Sequence, residues 1–249
     1  MESAFQLLMA FLLGSAMASF GNVLIDRLPK EESVGGRSYC PNCGKTLSPL
    51  DLIPVFSYLF LKGKCRYCGS PIGIRHLLSE IFLGVLYSLI AYFTGGIYNL
   101  EFYYYAVLMF SLYVLSGIDL FHREIPIRLT VLFILAGFVL VGVVHGIEAL
   151  VNSYIGFTVG AGTLYFVDTL YVAIRGKFGI GEGDWDAMGL ASLYFTPVIG
   201  LKAVYFLVFA SAVAGVILVF ILRDKKIPFV PAIFIGSIAL FLCNALHLV

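Results

Sequence analysis

Two acidic residues stand out because the chain around them is strongly apolar. Asp184 follows Gly181-Glu182-Gly183 and opens an apolar segment, and Asp119 ends another one, just before a charged turn. Two carboxyls within hydrogen-bonding reach share a proton, so that one can activate a water while the other protonates a scissile amide. Gly181 and Gly183 would let the backbone bend and let a substrate backbone approach closely. The pair is therefore a candidate aspartic dyad, with the two glycines as a candidate substrate loop.

Each acid also has a simpler interpretation. Asp119 could pair with Arg123, four residues further along a helix, and Asp184 could cap a helix N-terminus, where an acid suits the dipole. Asp168 and Glu80 lie inside other apolar segments and must be neutral or paired, and a function for them stays open. A relay of Asp119, Asp168 and Asp184 would suit a proton-coupled transporter instead of a peptidase.

Four cysteines form a second candidate site. Cys40 with Cys43, and Cys65 with Cys68, make two Cys-x-x-Cys pairs, each followed by a glycine that suits a tight turn with positive φ. Two such turns present four thiolates to one zinc ion, and because all four positions are filled the site would be structural. The alternative is two disulfides, which a reducing cytosol disfavours. Cys243 stands alone in the last apolar segment, where we expect an unreactive side chain.

The elements that must position these residues are membrane helices. Of the 249 residues 60% are hydrophobic and 12% charged, whereas an average soluble domain has about 25% charged residues. A spanning helix needs about 20 apolar residues. Eight segments approach this length, at about 3–25, 77–95, 103–121, 127–146, 151–174, 184–200, 202–222 and 228–248. The predicted fold is an all-α polytopic membrane protein.

The predicted organisation has three parts. A first helix spans 1–25, a zinc-stapled domain 26–76, and a seven-helix membrane domain 77–249. No lysine or arginine precedes the first apolar run, so we expect a retained helix and not a signal peptide. A net charge of +1 gives no support for nucleic-acid binding.

Basic residues predict the orientation in the bilayer. They concentrate in the segment after helix one and recur after helices three, five and seven, at Arg123, Arg128, Arg175, Lys177, Arg223, Lys225 and Lys226. Only Lys202 falls on the opposite side. The basic side is cytoplasmic in membrane proteins. We therefore expect the four-cysteine domain, Asp119 and Asp184 on the cytoplasmic side and both termini on the outer side.

Along nearly its whole length the chain resembles the bacterial type IV prepilin peptidases. The resemblance is carried by SFGNVLIDRLP, the CPNCG and CRYCG pairs with DLIPVFSYLFLKGKC between them, Glu80, IDLFHREIP, GEGD and IPFVPAIFIG. It implies an aspartic membrane protease of the GxGD type in the bacterial inner membrane, with Asp119 and Asp184 catalytic. It also implies cleavage of the basic leader of prepilins or pseudopilins after a glycine. N-methylation of the new N-terminal residue from S-adenosylmethionine would follow.

Two positions depart from the pattern of that family. Asp186 stands where a lysine is usual, and Ile127 where asparagine or aspartate is usual. Residues that would hold the methyl donor are not apparent, since no glycine-rich nucleotide loop is visible. The oligomeric state and the particular prepilin also stay open. A zinc-stapled membrane scaffold without activity is the third hypothesis.

Overall fold

The computed structural model describes residues 2–176, 181–222 and 229–248. Within these ranges, β pairing is limited to two isolated bridges, Tyr39–Thr46 and Lys64–Pro71. The same ranges form eight long α-helices and one short one: α1 (Glu2–Arg27), α2 (Phe56–Phe60), α3 (Ile74–Thr94), α4 (Leu100–His122), α5 (Ile127–His145), α6 (Ile147–Arg175), α7 (Glu182–Ile199), α8 (Lys202–Leu222) and α9 (Val230–Ala245). Each of the eight predicted apolar segments falls on one long helix, so the all-α prediction is confirmed.

Five of the described helices, α1 and α3 to α6, are long and apolar enough to cross a membrane. Helix α9 is apolar but has only 16 residues. Helix α7 carries three acids within its first five residues, which lowers its hydropathy. Of the basic residues that predict the orientation, Lys177, Arg223, Lys225 and Lys226 lie outside the described ranges.

The chain divides into two compact units, Met1–Tyr103 and Tyr104–Val249. Unit 1 contains α1, the four-cysteine segment with α2, and α3. Unit 2 contains most of α4 and all of α5 to α9. This division groups α3 with α1, whereas the sequence placed the boundary of the membrane domain at residue 77.

Helices α1 and α3 of unit 1 approach each other closely through glycines. A Cβ added at Gly14 would lie 2.5 Å from the Leu83 carbonyl oxygen, and one at Gly84 would lie 2.6 Å from Ser15 Oγ. Ser15 Oγ donates a hydrogen bond of 3.0 Å to the Glu80 carbonyl. Small residues and hydroxyl hydrogen bonds are the usual basis of helix association in lipid, where apolar side chains gain nothing by leaving the bilayer.

Helix α6 packs on α7 through one narrow stripe of mostly small residues. A Cβ at Gly156 would lie 2.2 Å from Thr196 Oγ1, and one at Gly160 would lie 2.2 Å from Ser192 Oγ. The buried positions of α6 recur every three or four residues, at Ser153, Gly156, Gly160, Leu164 and Asp168. Asp168 therefore lies on the side of α6 that faces α7, although most of α6 is exposed.

Helix α7 is the most enclosed element of unit 2. Residues 187–196 are all buried, and α5, α6, α8 and α9 all contact this helix. The hydroxyl of Tyr104 donates to the carbonyl of Tyr194. The helix continues through Pro197 to Ile199, so the sixth predicted segment, from Asp184 onward, forms one unbroken helix. A helix that is buried on all sides can hold a polar site rigidly at its end.

The close packing of α6 on α7 predicts that alanine substitutions at two neighbouring glycines of α6 affect stability differently. Gly160→Ala forces its methyl group against Ser192, whereas a Cβ at Gly162 meets nothing within 4 Å. Overpacking of this kind costs about 1–3 kcal/mol, while alanine at an open helical position is neutral or stabilising by up to about 1 kcal/mol. Thermal unfolding of the two variants in detergent measures the difference. Equal midpoints for Gly160→Ala and Gly162→Ala would contradict the close packing of α6 on α7.

Candidate active site and metal centre

Asp184 lies in the first turn of α7, where its carboxyl caps the helix. Its Oδ2 accepts a hydrogen bond of 2.9 Å from the N–H of Gly181, the residue that precedes the helix. The side chain is only 8% exposed. The simple capping interpretation therefore accounts for one oxygen of Asp184, and it explains how a carboxylate is held at this buried position.

Asp119 lies in the last turn of α4 and is also 8% exposed. Its Oδ2 accepts a hydrogen bond of 3.2 Å from the N–H of Val230, the first residue of α9. The first N–H groups of a helix have no partner within it and carry the positive end of the dipole, so they suit an anion. The Arg123 guanidinium also acts on the Asp119 carboxylate electrostatically.

The structure brings the two aspartates together. The Asp184 carboxylate lies in electrostatic range of Asp119, and the N–H of Val230 interacts with both carboxyls. Asp168, which is 1% exposed, also acts on Asp184. Acids on α4 and α6 thus both act on Asp184 of α7. Because neighbouring carboxylates disfavour each other's ionisation, the Asp119–Asp184 pair can hold one proton between two carboxyls.

Gly181 and Gly183 have different structural roles. Neither has a positive φ, so an unusual backbone conformation does not require either glycine. A Cβ at Gly181 would make an ordinary contact of 3.4 Å with Asp184 Oδ2. A Cβ at Gly183 would lie 2.7 Å from Ile125 Cδ1, in the turn between α4 and α5. Gly183 therefore lets the turn that follows Asp119 pack against the helix start that carries Asp184.

The two positions that depart from the family pattern differ in their surroundings from the pair of aspartates. The charge that acts on Asp186 is that of Glu182, one helical turn earlier, and the Asp186 side chain is half-buried. Ile127 is 62% exposed at the start of α5. An acid at position 186 therefore does not place a third carboxylate between Asp119 and Asp184.

The four cysteines form one cluster in unit 1. Their Sγ atoms lie within 4.8 Å of one another, and those of Cys40 and Cys68 are 3.8 Å apart. Four thiolates at about 2.3 Å from a zinc ion lie about 3.8 Å from each other, so this arrangement could hold a metal ion. All four thiols are free, which contradicts the disulfide alternative. Hydrogen bonds from Ser70 lower the pKa of the Cys68 thiol to about 6. At Cys43 a hydrogen bond from Lys45 is outweighed by burial and by the neighbouring Cys68 and Cys40, which raise the pKa of its thiol to about 11.

The two cysteine turns have the same backbone geometry. The N–H of Gly44 donates 2.9 Å to the Cys40 carbonyl, and the N–H of Gly69 donates 2.9 Å to the Cys65 carbonyl. Both glycines have positive φ, 68° and 72°. The expectation of a left-handed residue after each pair is confirmed, and the repetition places two equivalent pairs of sulfur atoms opposite each other.

Asp51 ties the segment between the two cysteine turns to the second turn, and it was not singled out from the sequence. Its Oδ1 pairs with Arg66 Nε at 2.6 Å, and its Oδ2 accepts from Ser48 Oγ at 2.8 Å. Burial raises the pKa of Asp51, but the hydrogen bonds from Ser48 and the Arg66 guanidinium outweigh it and lower the pKa. The Ser48-x-x-Asp51 spacing of a capping box was the available signal.

Comparison with known proteins places both sites within known domains. The Bacterial Peptidase A24 N-terminal domain matches residues 12–94, which contain the four cysteines, and the Type IV leader peptidase family matches residues 106–220, which contain both aspartates. No solved structure matches the chain.

Several similar proteins carry the same name, prepilin leader peptidase/N-methyltransferase. That of Myxococcus xanthus is 32% identical over 84% of this chain and 62% of its own length. The protein of Dichelobacter nodosus is 31% identical over 84% of this chain and 71% of its own length. The protein of Klebsiella pneumoniae is 32% identical over 72% of this chain and 80% of its own length. Similarity of this extent shows the relationship: the chain belongs to the type IV leader peptidase family.

Proposed function

We propose that the chain is a membrane aspartic endopeptidase that removes the basic leader from type IV prepilins or pseudopilins after a glycine, and that it then N-methylates the new terminus. The observation that carries the peptidase is the pair of buried carboxyls, Asp119 and Asp184, beside one backbone N–H. Membership of the leader peptidase family supports the substrate, and the names of the relatives support the methylation. The transporter relay finds no support in these relationships.

The proposed cleavage uses the two carboxyls as an acid and a base. The ionised one takes a proton from a water, whose oxygen attacks the scissile carbonyl carbon. The protonated one donates to the carbonyl oxygen, and when the tetrahedral intermediate collapses the leaving nitrogen receives a proton. Hydrogen bonds from Gly181 and Val230 fix one oxygen of each carboxyl. The rotation of both groups is thereby set before the substrate binds.

The basic residues of the chain also support a side of the membrane for the cleavage. The pilin leader is basic and its stem is apolar, so the scissile bond lies at the cytoplasmic edge of the inner membrane. Basic residues near both aspartates, including Arg123, Arg128 and Arg175, support that side. The cysteine cluster would hold a structural zinc ion on this side, and S-adenosylmethionine would supply the methyl group. The bilayer and the prepilin are then the two partners of the chain.

Replacing either catalytic aspartate removes a proton-transfer group without changing its size. We expect Asp119→Asn and Asp184→Asn each to lower the rate of leader cleavage roughly 10²–10⁴-fold. Asp186→Asn makes the same chemical change two residues from Asp184, where the acid faces Glu182, and should cleave within a few-fold of the wild type. The measurement is the mobility shift of a prepilin on a gel. Wild-type rates in either catalytic variant would exclude the dyad.

Alanine substitutions at the two glycines before Asp184 should affect the rate of cleavage unequally. Gly183→Ala places a methyl group against Ile125, so the α4–α5 turn must move and the geometry between the aspartates changes. A misplacement of this kind costs on the order of 10²-fold in rate. Gly181→Ala meets only an ordinary contact and should keep most of the activity. Equal losses in both variants, in the same cleavage assay, would mean that the contact with Ile125 is unimportant.

The cysteine cluster predicts bound metal. Purified protein should contain about one zinc per chain, since four thiolates fill the coordination shell. Cys40→Ser and Cys68→Ser should lose the metal and lower the unfolding temperature, because a structural zinc contributes folding free energy. Cys243→Ser removes a thiol from α9 instead of from the cluster, and this variant should retain the metal. Elemental analysis under reducing conditions decides the point, and a wild-type chain without zinc would refute it.

A further inference from the structure

Unit 1 contains a cavity of about 650 Å³. It lies between the end of α1, the four-cysteine segment and the start of α3. Polar and aromatic side chains line it, among them Asn22, Tyr39, Tyr58, His76 and Glu80. The volume falls in the range of about 300–1,000 Å³ that small-molecule sites occupy. It is sufficient for a nucleoside-sized molecule together with the end of a peptide.

Glu80 is one of two buried carboxylates that line this cavity, the other being Asp51. Glu80 is 8% exposed, and its Oε2 accepts a hydrogen bond of 2.7 Å from the N–H of Val55. The hydroxyl of Ser19, on α1, also lies close enough to the carboxylate to stabilise its charge. The backbone N–H of Val55 therefore fixes the orientation of this side chain.

The donor Val55 has a strained backbone. Its φ of 65° and ψ of −55° are rare for a β-branched residue. The N–H of Phe56 donates 2.7 Å to the carbonyl of Pro54, which closes a three-residue γ-turn around Val55. Strain of this kind persists only where the surrounding structure enforces it, and it often accompanies functional sites. Here the turn directs one N–H at Glu80.

Three other acids line the cavity, and Glu80 differs from each of them: Glu32 is exposed to solvent, whereas the other two are paired. Asp26 pairs with Arg75 at 2.6 Å, and Asp51 pairs with Arg66 at 2.6 Å. In the described part of the chain, Glu80 forms no ion pair. A buried carboxylate without a cation is costly. A cationic ligand in the cavity would remove that cost.

We propose that Glu80 binds the α-ammonium of the newly cut prepilin in this cavity and accepts its proton. This inference rests on the methylation in the proposed function. Loss of the proton leaves a free amine, whose lone pair forms a new N–CH₃ bond while the S–CH₃ bond of the donor breaks. The sulfonium departs as a neutral thioether, and the product nitrogen carries the positive charge as a secondary ammonium. The ammonium suits this carboxylate because it offers three N–H donors at one point.

The binding of peptides tests the ammonium contact without catalysis. A short apolar peptide that begins with phenylalanine is compared with its N-acetylated form, by calorimetry on the full chain saturated with S-adenosylhomocysteine. A hydrogen-bonded charge pair predicts that the wild type binds the free amine at least about tenfold more tightly. Glu80→Gln keeps the size of the side chain and should bind both forms equally. Equal affinities in the wild type, or a preference that persists in Glu80→Gln, overturn the proposal.

The methylated fraction of cleaved prepilin is the second readout, measured by mass spectrometry. It should fall at least about tenfold in Glu80→Gln, because general-base groups typically contribute 10²–10⁴-fold. Glu148→Gln, an exposed acid at the start of α6, should keep the wild-type fraction. If the wild type cleaves but never methylates, the proposed methyltransferase fails and Glu80 with it. If Glu80→Gln methylates normally, only the role of Glu80 fails.

A third comparison separates the cations that the cavity would receive. S-adenosylmethionine carries a sulfonium and an α-ammonium of its own, whereas S-adenosylhomocysteine keeps the α-ammonium and has a neutral thioether in place of the sulfonium. If Glu80 binds the prepilin ammonium, Glu80→Gln should leave the affinities of both molecules unchanged. An equal loss for both would assign the carboxylate to the α-ammonium of the methyl donor, and a selective loss for S-adenosylmethionine would assign it to the sulfonium; either result overturns the proposal.

Discussion

Unit 2 depends on how a buried carboxylate is stabilised at the end of a helix. The N–H groups of Gly181 and Val230 belong to the backbone at the starts of α7 and α9, and each donates to one aspartate. Backbone donors cannot change rotamer, so the positions of the two carboxyls follow from the positions of the helices. Asp119 comes from the end of α4, and its partner from the beginning of α7. The geometry of the site is therefore a direct result of helix packing.

That packing is set by small side chains. Gly156 and Gly160 bring α6 against α7 so closely that a single added methyl group would overlap Ser192 or Thr196. In a bilayer, burial of apolar surface gives no net drive for helix association, and close contact with hydroxyl groups takes its place. Helices α1 and α3 of unit 1 also approach each other closely, at Gly14 and other small residues. Each unit thus contains a pair of helices in close contact that carries buried acids, Glu80 on α3 in unit 1, and Asp168 on α6 with Asp184 on α7 in unit 2.

Residue type and spacing were enough to predict the helices and the grouping of the four cysteines, whereas the catalytic role of the two aspartates stays a prediction. Hydropathy reports membrane helices directly, and Cys-x-x-Cys pairs have few other uses in a reducing compartment. What the sequence could not provide are pairings between distant segments. The sequence around Ile125 does not indicate that this residue packs against Gly183. The sequence around Arg66 likewise does not indicate that it pairs with Asp51. The sequence suggested that position 183 needs glycine for its backbone freedom. The structure shows instead that a larger side chain there would collide with Ile125.

The N–H of Val230 is a functional group that no side chain supplies. Any residue other than proline that fits this fully buried position would present the same donor to Asp119. A comparison of related sequences would therefore find position 230 restricted in size only, and an alanine scan would assign its sensitivity to packing. Such positions are invisible to the methods that usually identify catalytic residues. In proteins that build sites from helix ends, a map of conserved or sensitive side chains will be incomplete in this particular way.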